Sequence, residues 1–497
     1  MPAPAAEFHD IQGLLKSAYG GLTEACYLLL RVTDRTAARA WLAAASVTTA
    51  ADTHAAAVLQ VALSAEGMRA LGVAETVMAG FSAEFLSGIT GEAGRSRRLG
   101  DVGANAPAQW RWGDRTIPHV LVILCAERDL SACRDRLTRG NFWKGFELIE
   151  ELATSNMHGK EAFGFTDGVS QPQPDWHEQR RPGTTADLEY TNLIAVGEFL
   201  LGYRNEYGLY TDRPLLDPGM DGARSLPEAE DDHTKRDLGR NGSYLVFREL
   251  RQDVRGFWRY AAEIAGDAIR AVALAEVFVG RQISGDALIP GTHAIRGIGQ
   301  TAADIRKNGF TYDDDKDGLR CPFGAHVRRA NPRTADLPGS RRGWIARMIA
   351  MLGLFHPDLR SDLIAASRFH RILRRGREFG VALRPEDAMR TDAPDPRAGL
   401  HFICLNANIS RQFEFIQNAW VMSAKFAGLS GESDPLLGNR EELPPGEATD
   451  GFALPQPNGV TRRLAAVPQF VTVAGGGYFF LPGVRALRYL AGAGSGG

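Results

Sequence analysis

Asp167 stands in the string Phe163-Gly164-Phe165-Thr166-Asp167-Gly168-Val169-Ser170-Gln171-Pro172. Glycines on both sides of a carboxylate let the backbone turn sharply and approach a flat ligand; a strand or helix interior does not favour them. The carboxylate is then aimed at one point and does not swing on a solvated loop. Taken alone, the string is an ordinary Asp-Gly turn. Its meaning depends on what the chain places opposite it.

His326 is the second group able to do chemistry. It sits in Cys321-Pro322-Phe323-Gly324-Ala325-His326-Val327-Arg328-Arg329-Ala330-Asn331-Pro332-Arg333. Small residues before the imidazole leave room for a large planar group, and the cations after it suit the carboxylates of such a group. A haem-ligating histidine needs this setting. A hydrogen-bonded structural histidine fits the same string, and the thiolate of Cys321 is a competing axial ligand. Arg371-Ile372-Leu373-Arg374-Arg375-Gly376-Arg377-Glu378-Phe379-Gly380 is dense in charge. Such density marks an exposed helix face, but the glycines and apolar residues break that pattern and turn one arginine inward. Asp313, Asp315, Asp317 and Gly318 match the opening of a calcium loop, yet Gly324 stands where the bidentate glutamate is required. A solvated acidic turn is the better reading.

At 497 residues the chain is too long for one ordinary core, and two domains are expected. The hydrophobic fraction is 44% and the charged fraction 23%, as in globular proteins generally. A net charge of −2 provides no global field for nucleic acid or an anionic membrane. The five cysteines are scattered without a Cys-x-x-Cys pair, which argues against a zinc site or a disulfide framework and suits a reducing compartment. No export signal is read in residues 1–10, so a cytoplasmic location is expected. The apolar run 344–355 contains Arg347 and is too short to span a bilayer.

The elements that must position these groups recur as strand–turn–helix units. Tyr27-Leu28-Leu29-Leu30-Arg31-Val32 leads into a helix at 35–45, and Tyr244-Leu245-Val246-Phe247-Arg248 into one at 252–265; each helix carries a tryptophan, Trp41 or Trp258. A second pair runs from 119–126 into 130–137 and from 401–406 into 409–420. The order is the same in both halves, so the chain reads as an internal duplication of an α+β or α/β unit, with a ferredoxin-like α+β unit the favoured form. Residues 226–240 are charged and lack apolar periodicity, which predicts a solvated connection. The basic, apolar stretch 344–352 predicts a helix.

Taken together, Gly164-Phe165-Thr166-Asp167-Gly168, Phe323-Gly324-Ala325-His326 and Arg374-Arg375-Gly376 resemble, in order and context, the dye-decolourising peroxidases. Asp10-Ile11-Gln12-Gly13-Leu14, Asn241-Gly242-Ser243-Tyr244-Leu245-Val246 and Gly477-Tyr478-Phe479-Phe480-Leu481-Pro482 extend the likeness over nearly the whole chain. The resemblance implies two ferredoxin-like domains of the dimeric α+β barrel type, with haem b held mainly by the second. We expect residues 1–225 to form an N-terminal unit carrying the Asp167 loop. Residues 226–497 form the haem-binding unit, with an added segment near 337–363 that the family lacks. By the same likeness His326 is the proximal iron ligand, Asp167 and Arg374 handle peroxide, Arg333 binds a propionate, and Leu400 and Phe402 shape the distal pocket. Asp434 supports the free nitrogen of His326, with Glu414 as the alternative; Asp434 also reads as a helix cap.

The implied partners are hydrogen peroxide and an aromatic reductant such as a dye or phenol, with no nucleic acid and no transmembrane segment; a homo-oligomer is left open. The implied reaction reduces peroxide to water through a ferryl porphyrin radical, followed by one-electron oxidations. An aspartate ordinarily titrates near about 3.9 and a histidine near about 6.5, so an acidic optimum is expected. Trp344, Trp420 and Tyr478 are candidate electron relays, though buried aromatics are commonly core. A non-catalytic haem-binding or haem-delivery protein is the rival reading. It would use the proximal histidine and the propionate arginine and leave Asp167 and Arg374 without a purpose.

Overall fold

A computed structural model describes residues 6–179, 190–299, 301–336, 366–390, 396–441 and 448–492. The segment near 337–363 and the helix expected at 344–352, Trp344 included, lie outside the described residues.

One antiparallel sheet of nine strands organises the molecule. Its strands are β1 (Glu24–Val32), β2 (Ala57–Leu63), β3 (Val120–Ala126), β4 (Phe146–Ala153), β5 (Ser243–Gln252), β6 (Leu373–Arg374), β7 (Arg377–Phe379), β8 (Gly399–Asn406) and β9 (Val471–Leu481). The order is β6-β8-β5-β9-β2-β3-β1-β4, with β7 also on β8. Within the first half this is β4-β1-β3-β2, and within the second β9-β5-β8-β6/β7. Both are the 4-1-3-2 order of a βαββαβ unit. The fold is therefore α+β and the ferredoxin-like unit occurs twice. The halves meet where Phe480 of β9 pairs with Leu63 of β2. At the far ends the Ser155 N–H donates to the Glu378 carbonyl at 2.8 Å, so the sheet curls and its two edges approach.

Curling explains why the strands read as nearly continuous apolar runs: both faces are covered. Tyr27, Leu29, Leu121, Ile123, Leu245, Phe247, Ile403, Leu405 and Phe479 point inward and form one core shared by both halves. Leu28, Leu30, Val120, Val122, Val246 and Cys404 point outward under the helices. The first helix of each half, α1 (Arg35–Ala44) and α2 (Val254–Ala265), follows strand one and starts on an aspartate cap, Asp34 or Asp253. Trp41 and Trp258 anchor them to the outer face.

Two expectations are corrected. The matched tyrosines are not equivalent: Tyr27 lies in the inner core and Tyr244 in the outer one. Side chains alternate with period two, so a one-residue slip in a sequence match exchanges the faces. The stretch 226–240 is solvated only in its middle: Glu228, Asp231, His233 and Thr234 are exposed, but Leu226, Asp237, Leu238 and Arg240 are buried. The buried charges at its end are paired with the rest of the molecule, Asp237 with Arg213 at 2.6 Å and Arg240 with Glu7 at 2.9 Å. Among the described residues no helix is long and apolar enough to cross a membrane.

Candidate active site

On the outer face of the second half lies a deep cleft, partly open to solvent. Concave, largely apolar sites of this kind hold small molecules and cofactors. Its walls bring together Asp167, His326, Arg371, Arg374, Leu400 and Phe402. Phe163 and Phe165 extend the apolar wall.

His326 opens a short helix, α3 (His326–Ala330). Its Nδ1 lies 2.9 Å from Oδ2 of Asp434, whose side chain is wholly buried. The other oxygen, Oδ1, accepts the N–H groups of Leu436 and Leu437 at 2.9 Å each. Cap and imidazole support are thus one carboxylate doing both jobs with different oxygens. Burial alone would lower the His326 pKa, but the Asp434 charge and hydrogen bond outweigh it and raise it. Burial would raise Asp434, and His326 with the backbone donors holds it low. The pair fixes the tautomer with the proton on Nδ1 and leaves Nε2 free on the cleft side. Glu414 does not take this role: it accepts from the Tyr478 hydroxyl at 3.0 Å and pairs with Arg95 at 2.8 Å.

Asp167 and Arg374 meet across the cleft, Nη1 to Oδ1 at 3.7 Å, each about one third exposed. Gly168 has φ 73°, a conformation that favours glycine, and its N–H returns to Asp167 Oδ1 at 2.6 Å. Arg374 closes β6. The bend after it depends on Gly376, where a Cβ would fall 2.3 Å from the His401 carbonyl oxygen.

Three further arginines surround this end of the cleft. Arg281 and Arg371 line it, and Arg333 lies behind its wall. Arg281 donates to the carbonyls of Gly285 and Lys307 and to Asn308. Arg371 donates to the Tyr190 hydroxyl at 3.1 Å and to Asn192 at 2.7 Å. Arg333 donates to the carbonyls of Asn308 and Phe310 and stacks on Phe310. Among the described residues none of the three has a carboxylate partner. Burial and the nearby Arg333 push Arg281 down to about 10. Tyr190 is held up by burial, but Arg333, Arg371 and their hydrogen-bonding neighbours bring it down to about 8. Uncompensated buried cations are costly, and this group is matched to an anion.

Sequence reasoning expected one arginine of the 371–377 run to turn inward. Arg371 and Arg374 enter the cleft, and Arg375 is buried on the carbonyls of Leu14 and Leu15. Arg281 and Tyr190 were not singled out; both stand in ordinary strings and are assembled only by the fold. Cys321 is buried, and burial pushes its thiol up to about 12, which opposes a thiolate ligand. In the acidic turn Asp315 is not solvated. It accepts from the N–H groups of Arg320 and Cys321 and pairs with Arg328 at 3.2 Å, tying down the loop before His326. No metal-binding cluster of carboxylates, histidines or cysteines occurs among the described residues.

A twice-repeated βαββαβ sheet with a carboxylate-supported histidine and an Asp–Arg pair in one outer cleft defines a class, and comparison with known proteins identifies it. The dye-decolorizing peroxidase msp1 of Mycetinis scorodonius is 27% identical over 453 residues, 86% of this chain and 75% of that protein. The multifunctional dye peroxidase DyP2 of an Amycolatopsis species is 30% identical over 360 residues, 68% of this chain and 62% of that protein. The chain thus spans less than two thirds of that second relative. The crystal structure of a fungal DyP-type peroxidase from Auricularia auricula-judae matches with TM-score 0.72 and 25% identity, over 98% of this chain and all of that one. No protein-family model matches the chain. The chain belongs to the dye-decolourising peroxidase family.

Proposed function

We propose that the protein is a haem b peroxidase that reduces hydrogen peroxide and oxidises aromatic compounds such as dyes and phenols in one-electron steps. The observation that carries this reading is the joint presence of two pairs in one cleft: His326 with Asp434, and Asp167 with Arg374. We take residues 1–225 as the unit that carries the Asp167 loop and 226–497 as the unit that holds the haem.

The residues fit the group. His326 keeps Nε2 free for iron while Nδ1 is committed to Asp434. The buried guanidiniums of Arg281 and Arg371, with Arg333 behind them, have only neutral partners among the described residues and suit two propionates. Leu400 and Phe402 provide an apolar wall. Bound there, haem supplies the electron transfer.

The chain's own residues do the rest. Asp434 makes His326 a stronger electron donor and keeps its ring oriented. Asp167 accepts the proton of the peroxide oxygen nearer the metal site and returns it to the farther oxygen, which leaves as water. Arg374 stabilises the negative charge that grows on that departing oxygen. The apolar wall keeps bulk water from competing. A haem-delivery protein would need the proximal pair and the arginines but no Asp167–Arg374 pair.

The test is an absorption spectrum of the purified protein before and after one equivalent of peroxide, with turnover of a phenol and an anthraquinone dye alongside. We expect a Soret band that changes with peroxide, and peroxide-dependent loss of dye colour. A protein without a Soret band, or one whose haem leaves both reductants unoxidised, overturns the reading.

A further inference from the structure

Two residues before the Asp167 motif, Glu161 lines the same cleft and makes an unusual set of bonds. Its Oε1 accepts the Phe165 N–H at 2.9 Å, and its Oε2 accepts the Phe163 N–H at 3.0 Å and the Gln252 Nε2 at 2.6 Å. Its own N–H donates to the Phe165 carbonyl at 2.9 Å, and its carbonyl accepts from Gly164. The side chain thus closes a clasp around 163–165 and ties it to Gln252, the last residue of β5. Downstream, the Thr166 N–H and hydroxyl both donate to the Ile283 carbonyl, and the Asp167 N–H to Gly159. Beyond Asp167 the Asn308 side-chain amide donates to the Val169 carbonyl at 2.7 Å, so the loop is held on each side of Asp167, and Glu161 supplies the side that reaches the sheet.

We propose that Glu161 is a positioning residue for Asp167, setting the place of that carboxylate in the cleft by fastening the preceding turn to the end of β5 through Gln252. This rests on the reading that Asp167 works on peroxide. Three N–H donors from two chain segments converge on two oxygens. A carboxylate is acceptor-only and can receive them all; a glutamine offers one oxygen and turns an NH2 toward the remaining donors. Burial pushes the Glu161 carboxyl up to about 7, against the pull of those same donors. A costly carboxylate is kept where an apolar clasp would cost less. Gln252 commits its amide to this contact: Nε2 holds Glu161, while Oε1 has no partner among the described residues.

The experiment compares Glu161→Gln, Glu161→Asp, Gln252→Met, Asp167→Asn and the double variant Glu161→Gln/Asp167→Asn as haem-loaded proteins. In Glu161→Gln we expect amide exchange of 163–167 to quicken at least about tenfold with β8 unchanged. We expect kcat/KM for peroxide to fall at least about tenfold while KM for dye holds. Gln252→Met should move both the same way and less, and Glu161→Asp should restore part of each. In the Asp167→Asn background, Glu161→Gln should cost little more, because it acts through the same carboxylate. Unchanged exchange with a fall in peroxide kcat/KM overturns the proposal, since Glu161 would then act on peroxide itself. Full additivity of the two substitutions also overturns it. Should Glu161→Gln fail to fold, Gln252→Met decides by the same two readouts. If Asp167→Asn alone leaves peroxide turnover intact, the peroxidase assignment of Asp167 fails while the exchange data still judge the clasp.

Discussion

Val120 on β3 and Phe402 on β8 both lie on the third strand of their half and both belong to the helix-covered outer face. Val120 is fully buried; Phe402 is only partly so, because it walls the cleft. In the first half, Trp41 packs edge-on against Phe142 and Phe146, which are tilted to one another, with all three centroids 5.2–5.5 Å apart, and the cluster closes the corresponding surface. The halves also grew in different places. The first carries its long excursion after strand two, between Leu63 and Val120. The second carries it before strand two, between Ala265 and Leu373, and that excursion delivers His326 and Arg333 to the outer face. Equal topology has therefore yielded one packed face and one chemical face. What separates them is where the chain was lengthened, not how the sheet is ordered.

The sharpest way to break this contrast is to remove the group the second excursion delivers. His326→Ala should abolish the Soret band or shift it strongly while the far-ultraviolet circular dichroism of the sheet persists. An unaltered histidine-type spectrum would show that the cleft does not depend on His326. Asp167→Asn comes next. It keeps the shape of the loop and removes the carboxylate proposed to accept the proton, so peroxide turnover should fall by about 10²–10⁴-fold with the resting spectrum retained. An unchanged rate would leave Arg374 as the principal distal group.

A smaller effect tests the packed face against the chemical one. Leu30 is completely buried on the outer face of β1, and Leu30→Ala should cost about 2–5 kcal/mol. Phe402→Ala removes more atoms, but part of that ring already faces the cleft. In the haem-free protein it should cost less than Leu30→Ala, by urea unfolding of both. The reverse order would mean that the cleft closes when empty and that the two faces differ less than described.

The strands and the two-fold repeat were legible because hydrophobic runs of strand length followed by capped helices survive in the sequence. Which face each strand residue takes was not: the Tyr27 and Tyr244 match is off by one residue, and with period-two alternation one residue is the whole difference. Asp167, His326 and Arg374 stand out as local strings of glycine, small residues and cations. Asp434 was reached through the family likeness, since a carboxylate before proline looks the same whether it caps a turn or holds an imidazole. Glu161, Arg281 and Tyr190 were missed. Their meaning comes from partners such as Gln252, Asn308 and Arg371, far away along the chain. The nearest sequence signal is a glutamate just before the alternating Phe163 and Phe165, whose N–H groups it collects. The buried charges of 226–240 looked solvated because composition does not reveal that they are paired with distant residues such as Arg213 and Glu7.

The mildest contrast lies between the two seams that join the halves. At one, Phe480 meets Leu63 through the backbone. At the other, His401 Nε2 donates to the Ala153 carbonyl at 3.2 Å and its ring stacks on Phe379. His401 is 2% exposed, and burial pulls its pKa down to about 4, with the nearby Glu249 charge resisting. An exposed histidine in the unfolded chain titrates near about 6.5. The folded pKa is thus the lower one: the contribution of the neutral ring is fully present above about 6.5 and is lost as pH falls to about 4. Over that interval the unfolded chain binds the extra proton, and stability falls with a limiting slope of about 1.4 kcal/mol per pH unit for one group. His401→Gln removes that proton, so its unfolding midpoint in urea should decline less between pH 6.5 and 4 than the parent's. The protection of the Ser155 amide, relative to its intrinsic exchange rate at each pH, should fall on acidification in the parent, while that of Phe480 and Leu63 stays flat. Equal declines in both proteins would place the acid sensitivity elsewhere and make the two seams alike.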